Sequence, residues 1–219
     1  MINFNKRAKE EDMNSTIWDR EYTSGNFRYM WDLPYPSQEL VSFIATTNFS
    51  RKNVALDIGC GAVREAIFLA QQGFNTIGID LSKEALKIAS ERAMEEEVQI
   101  DWRHGNVLNL PVEDKSVDFI NDRGCFHTVS ENERDQFARE MDRVLKPGGM
   151  MLLRGCDDKE EDGQFIYMTD QKFTYVTKQA IEQHFDKYFD YGRVLPIQIA
   201  TGVGYSIDGM KGNIVVLKK

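Results

Sequence analysis

The sequence predicts an α/β fold, a mainly parallel sheet of seven strands with helices on both faces, and three observations carry that prediction. From residue 37 onward, strand-like segments alternate with helix-like ones. The helix-like segments run to roughly 10 to 15 residues, enough for right-handed crossovers between parallel strands. The 219 residues contain no internal repeat, low-complexity tract or Ser/Gly linker, which suits one buried core. Residues 1–36 are read as an N-terminal aromatic lid segment and 37–219 as a single domain, with residues 1 to about 12 frayed.

Each element has a local reason. Ser37 can N-cap a helix over "QELVSFIATT", its hydroxyl oxygen accepting a free first-turn amide, with Glu39 at the positive end. "NVALDI" reads as a buried strand and "REAIFLAQQ" as a helix stopped at Gly73. "NTIGID" is the second strand, after which Ser82 caps "KEALKIASERAMEE", with Ala85, Ile88 and Ala89 on one face. "VQIDWRH" and "SVDFIND" are the third and fourth strands. Ser130 and Glu133 have the spacing of a capping box, opening a helix whose Phe137, Met141, Val144 and Leu145 form one stripe. It stops at "KPGG", because Pro147 cannot continue it. "MMLLRGC" is the fifth strand, "KQAIEQHFDKYF" a helix, and "GRVLPIQIA" and "GNIVVLKK" the last two strands.

Composition narrows the partners. Lys and Arg number 27 against 35 Asp and Glu, a net charge of −8 with the basic residues scattered, which disfavours nucleic acid and anionic membrane. The polar N-terminus has no apolar secretory core and no run is long enough to span a membrane, so a cytoplasmic location is expected. Cys60, Cys125 and Cys156 form no CxxC and leave an odd thiol, the pattern of small buried residues rather than of disulfides or zinc thiolates. No two histidines have helical metal-ligand spacing, so no metal is expected; a monomer or a homodimer is.

In a sheet of this kind, ligands bind at the carboxyl ends of the strands where the winding reverses. The first such loop is "GCGAVR", Gly59 to Arg64: its glycines permit a sharp turn and close approach of a ligand to the backbone. A dinucleotide fingerprint would place a third glycine at position 64, where Arg64 stands, which counts against a nicotinamide enzyme. Asp57 ends the first strand, and Asp80 ends the second, placed to accept both ribose hydroxyls of an adenosine.

With "LDIGCG", "GIDLS", "GNVLNLP", "VDFIND" and "LKPGGMMLL" in that order and spacing, the chain resembles the class I S-adenosylmethionine-dependent methyltransferases from about Ser37 onward. The resemblance implies a Rossmann-like sheet, mainly parallel with an antiparallel late strand, and S-adenosylmethionine as cofactor. It implies that Asp57, Gly59, Cys60, Gly61 and Ala62 surround the amino acid half and that Asp80 holds the ribose. Asn106 would accept from the adenine amine, where the family often has aspartate, and the Val107 amide would donate to the ring. Leu81 and Leu108 would sandwich the adenine, and Asp122 and Arg123 would complete the cofactor site.

A narrower likeness is to the thiopurine methyltransferase branch, on three features: Val63 where many members have glycine, "DRG" at Asp122-Arg123-Gly124, and Trp18, Tyr22 and Gly25 in the N-terminal segment. Tellurite and thiol or halide methyltransferases have comparable N-terminal segments. The aromatic-rich segment Trp18 to Ser37, with two prolines, reads as a lid over the sulfonium or as a segment packed onto the domain. Tyr22, Phe27, Tyr29, Trp31 and Phe126 are the lid and substrate candidates, with Arg123 and His127 the catalytic ones. Arg123 can attract an anionic acceptor or pair with Asp118 or Asp122. His127 can serve as a base or as a hydrogen-bonded structural histidine. The expected activity is methyl transfer to a small molecule, with a soft sulfur, selenium or tellurium acceptor ahead. The alternatives are an O- or N-methyltransferase using His127 and a non-catalytic S-adenosylmethionine-binding module.

Overall fold

The computed structural model describes residues 17–62, 64–157, 175–200 and 210–219. The expected fraying of residues 1–12 and the side chain of Val63 lie outside these described residues. Helix α1 (17–24) ends at Gly25, and α2 (Phe27–Met30) and α3 (Gln38–Thr46) follow. Strand β1 (Val54–Ile58), α4 (Glu65–Gln71), β2 (Asn75–Asp80), α5 (Lys83–Glu95), β3 (Asp101–His104) and β4 (Val117–Arg123) come next. After two single 3₁₀ turns come α6 (Arg134–Val144), β5 (Leu145–Cys156), α7 (Lys178–Phe185), β6 (Asp190–Tyr191), β7 (Leu195–Ile199) and β8 (Met210–Lys218).

The strands lie in the order β3-β2-β1-β4-β5-β8-β6, with β7 also on β8. The first five are parallel, and β8 runs antiparallel to β5, β6 and β7. The sheet has eight strands rather than the seven expected. The extra one is the two-residue β6, which pairs with Tyr191 opposite Leu217 before the chain rejoins β8 as β7.

Alternation along the strands divides the core. Leu56 and Ile58 of β1 and Ile120 of β4 face Phe137 and Met141 of α6 and Ile181 and Phe185 of α7. Ala55 and Phe119, one residue out of phase, face Leu40 of α3 and Leu69 of α4. Period-two alternation thus puts helices on both faces, each buried aromatic or aliphatic side chain adding about 1.5–3 kcal/mol. Phe137, Met141 and Val144 of the predicted stripe are buried on α6, whereas Leu145, expected on the same helix, is buried as the first residue of β5.

Two caps differ from expectation. Ser37 does not cap α3, because its hydroxyl accepts from Arg154 and its amide donates to Glu65. Ser130 and Glu133 make no reciprocal box; the Ser130 hydroxyl bonds the Glu133 carboxylate, and α6 begins one residue later. Ser82 does cap α5, accepting from the Ala85 amide at 3.0 Å. Pro147 falls inside β5, where the register shifts between Val117 and Phe119 and the strand bulges. None of the described helices is long and apolar enough to cross a membrane.

Candidate active site

The carboxyl ends of β1, β2, β4 and β5 surround a cavity of about 180 Å³. The β2 and β3 ends contribute Asp80, Leu81, Gly105, Asn106 and Val107, and the β4 and β5 ends contribute Arg123 to Cys125, His127, Arg154 and Cys156. Gly59, Cys60 and Gly61 lie between them, and Trp18, Tyr22, Met30 and Trp31 cover the opening together with Ile199, Ala200 and Met210.

The glycine loop is a cradle that only glycine can form. Gly59 and Gly61 have φ of +56° and +53°; a Cβ on Gly59 would press on Cys125, and one on Gly61 would overlap the Tyr22 hydroxyl. Asp80 braces the loop, its carboxylate accepting from the Gly61 amide at 2.7 Å and from the Ser82 amide at 2.7 Å. Burial pushes its pKa up to about 6, and these backbone amides hold it from rising further. Each carboxylate oxygen has two lone pairs, so Asp80 keeps acceptor capacity toward the cavity.

Asp57 lies beneath the loop. Its Oδ1 accepts from Asn121 at 2.6 Å, whereas its Oδ2 is buried with no hydrogen-bond partner. Burial raises its pKa to about 8, offset in part by the Asn121 bond, with Glu65 and Asp122 adding to the rise and Arg154 opposing it. Asn121 is in turn held by the guanidinium of Arg154, which also donates to the Asp122 carbonyl and to Ser37.

A glycine cradle, a carboxylate with free lone pairs and an orphaned buried oxygen fit a ligand with hydroxyls and an ammonium group. Adenosine and the amino acid half of S-adenosylmethionine have these groups.

The N-terminal segment is a helix broken at Gly25, and it is pinned by charge. Asp19 accepts from the Ser82 hydroxyl at 2.6 Å and from the Glu84 amide at 3.3 Å. Arg92 of α5 grips Asp32 through both nitrogens, at 2.8 and 2.6 Å, and also donates to the Ala62 carbonyl. The Tyr22 hydroxyl accepts from the Trp31 indole at 3.2 Å.

Several predicted residues point elsewhere. In α2 the buried side chains are three apart, Phe27 and Met30, so Met30 reaches the cavity while Tyr29 is 64% exposed. Phe27 packs under Tyr22 with ring centroids 4.8 Å apart. Phe126 is in the main core against Phe137 and Phe185. Leu108 is turned toward that core by the tight turn in which the Asn109 amide bonds the Asn106 carbonyl. Asp122 is fully buried, its oxygens accepting from the Cys125 and Phe126 amides, so it shapes the 124–128 turn from behind the cavity wall. Asn106 lines the cavity, but its side-chain oxygen already accepts from the Leu108 amide.

At the β4–β5 end, Arg123 is bonded to neither Asp118 nor Asp122. Its Nη2 donates to the Ala200 carbonyl at 2.7 Å and its Nη1 approaches the Trp31 carbonyl at 3.4 Å, with Glu65 at 3.7 Å from Nε. His127 is partly buried in the cavity wall, and its Nδ1 accepts from the Cys156 amide at 3.3 Å, which leaves the proton of the neutral ring on Nε2. Burial, then Arg134 and Arg123, push its pKa down to about 4.

Sequence reasoning missed Arg154, Met30 and Cys125 as cavity residues. For Arg154 a signal existed: one charge inside the apolar strand "MMLLRGC" needs buried partners. All three cysteines line the cavity as free thiols, and burial raises the pKa of Cys60 and Cys125. Among the described residues, no cluster of His, Cys, Asp and Glu could hold a metal ion.

Comparison with known proteins agrees with this geometry. A family described as "Methyltransferase domain" matches residues 56–153. Norajmaline N-methyltransferase of Rauvolfia serpentina is 38% identical over 103 residues, 45% of this chain and 34% of that protein. The uncharacterized methyltransferase YcgJ of Bacillus subtilis is 33% identical over 117 residues, 53% of this chain and 46% of that one. The chain spans about half the length of the curated relatives it matches. A solved structure concerned with conversion of a disulfide bond into a thioacetal group during echinomycin biosynthesis superposes with a TM-score of 0.78. It is 17% identical, with 94% of this chain and 92% of that one covered. The sheet order and the glycine cradle with Asp57 and Asp80 are those of a Rossmann-like fold, and residues 56–153 match the methyltransferase domain, so the chain is similar to the class I S-adenosylmethionine-dependent methyltransferases.

Proposed function

We propose that the protein transfers a methyl group from S-adenosylmethionine to a small molecule whose acceptor atom is a soft sulfur, selenium or tellurium. Adenosine lies at the β2–β3 end, with Asp80 holding the ribose, Leu81 and Val107 against the base, and Asp57 and the glycine loop receiving the amino acid half. The cofactor, when bound, supplies an electrophilic methyl on sulfur with a neutral thioether as leaving group. The chain aligns donor and acceptor in line and excludes water, for which the aromatic cover of Trp18, Tyr22 and Trp31 is suited.

The observation that carries the choice of acceptor is the state of His127. An imidazole with pKa about 4 whose Nδ1 already accepts a backbone amide is a poor base for an alcohol, phenol or ammonium group. An acceptor that ionises easily or carries a lone pair needs no such base. The apolar, sulfur-containing wall of Cys125, Cys156, Met30 and Met210 also suits a polarizable acceptor. The sulfur chemistry named for the echinomycin neighbour agrees with this reading.

Radiolabelled methyl transfer to a panel of thiols, phenols and amines tests it, in the parent protein and in His127→Ala. Thiol methylation retained in the variant is the expected result. Product on phenols or amines alone, lost in His127→Ala, supports an O- or N-methyltransferase with His127 as base. No product with any acceptor, with S-adenosylmethionine bound, supports a binding module.

A further inference from the structure

The N-terminal cover and the glycine cradle are joined by a side chain that does not line the cavity, Arg92 of α5. Its Nη1 donates to Asp32 Oδ1 at 2.8 Å and to the Ala62 carbonyl, and its Nη2 donates to Asp32 Oδ2 at 2.6 Å. The two side chains are 13% and 11% exposed, so the pair is largely withdrawn from water. An exposed ion pair fixes little, whereas a two-bond fork of this kind fixes orientation as well as distance. All three acceptors are met by one flat group, so a guanidinium that follows Asp32 away leaves Ala62.

Each side of this bond set belongs to a working part of the site. Ala62 follows Gly61, whose amide Asp80 holds at 2.7 Å, so the cradle is anchored at two successive residues, by Asp80 and by Arg92. Asp32 follows Met30 and Trp31, which close the cavity from the cover side, and its amide donates to the Phe27 carbonyl, so it moves with α2. The other hold of the cover on α5 is Asp19, on the Ser82 hydroxyl and the Glu84 amide, and it does not include the cradle. Inside the cavity the Tyr22 hydroxyl lies over Gly61. A change at Arg92 therefore alters the link from outside and leaves the cavity wall as it is.

We propose that Arg92 is a positioning residue that makes the shape of the cradle and the closure of the cover a single event. A cofactor seated in the cradle holds the Ala62 carbonyl, which holds Arg92 and, through it, Asp32. Met30 and Trp31 are thereby set in place as the wall against which the acceptor binds. This rests on the cofactor reading above.

Hydrogen exchange over 17–33, with and without saturating S-adenosylhomocysteine, tests it. The ligand should slow that exchange about ten-fold or more in the parent protein and less than about two-fold in Arg92→Ala, with binding in both checked by titration. Arg92→Lys, which keeps the charge without the planar fork, should fall between. A brace that only stabilised the cover would speed exchange by the same factor in the free and bound states. The parent protein's bound-to-free ratio retained in Arg92→Ala therefore overturns the proposal, and so does a parent protein that binds the ligand with unchanged exchange over 17–33. Should Arg92→Ala fail to fold or to bind, Asp32→Ala decides by the same ratio, since it removes the fork and leaves Arg92 beside Ala62. Failure of the parent protein to bind S-adenosylhomocysteine would instead overturn the cofactor reading.

Discussion

The two ends of the cavity are built by different means. At the β2–β3 end, polar groups are fixed by nearby backbone: Asp80 by the Gly61 and Ser82 amides, Asn106 by the Leu108 amide. At the β4–β5 end, side chains hold one another over long separations: Arg154 reaches Ser37 across 117 positions, and Asn121 reaches Asp57 across 64. Backbone-fixed groups keep their places when one neighbour changes. A buried network of side chains loses all its partners together, because each charge depends on the next.

That contrast orders the expected effects of mutation. The largest falls on the network: Arg154→Met takes from Glu65 one of its two cations and from Asn121 and Ser37 their buried donor, and should cost about 3–5 kcal/mol in chemical denaturation. A loss below about 1 kcal/mol would mean that the two ends do not differ in this way. Next, Asp80→Ala should weaken S-adenosylhomocysteine about 100-fold by titration while the fold survives, since the Gly61 amide faces the cavity and can be rehydrated. Asp32→Ala removes the fork grip of Arg92 on the N-terminal segment, and should speed hydrogen exchange over 17–33 by roughly ten-fold while leaving the sheet amides unchanged.

Titration separates Asp57 from the backbone-held groups. Asp57 carries a folded pKa of about 8 against an ordinary value of 3.8, so the native state holds its proton and stability falls as pH rises from about 4 to about 8. Asp57→Asn should therefore match the parent protein near pH 4 and melt a few degrees higher at pH 8. His127 has the opposite sign. Its folded pKa of about 4, below 6.5, makes stability fall as pH drops from about 6.5 to about 4, and His127→Gln should flatten that limb. The smallest effect belongs to Tyr29→Ala, an exposed change expected within 0.5 kcal/mol, roughly, and without effect on ligand binding.

The same contrast explains what could be read from the sequence. Asp80 and the glycines stand at the ends of adjacent strands and Ser82 two residues on, so spacing indicates their roles. The strand-helix alternation from residue 37 onward gave every strand but the two-residue β6, while α1 and α2 lie in the N-terminal segment it did not reach. Ser37 and Ser130 have the right local pattern for caps, but each hydroxyl is taken by a charged partner that the pattern does not include. Phe126 and Tyr29 were assigned to the cavity by adjacency in sequence, and a 3₁₀ turn and a helical turn direct them to the core and to solvent. For Arg123 the sequence offers as partners the acids of its own strand, Asp118 and Asp122. The partner found, Glu65, comes from α4 through the fold of the sheet.

On the proposed function, one cavity holds S-adenosylmethionine with its adenosine at the β2–β3 end and its methyl directed toward the β4–β5 end. A crystal structure with S-adenosylhomocysteine tests it most directly. Ribose hydroxyls on Asp80, the adenine between Leu81 and Val107, and the sulfur facing Cys125 and His127 are the expected result. Density for the nucleoside anywhere else, or with Asp80 bonded only to the backbone, would contradict it.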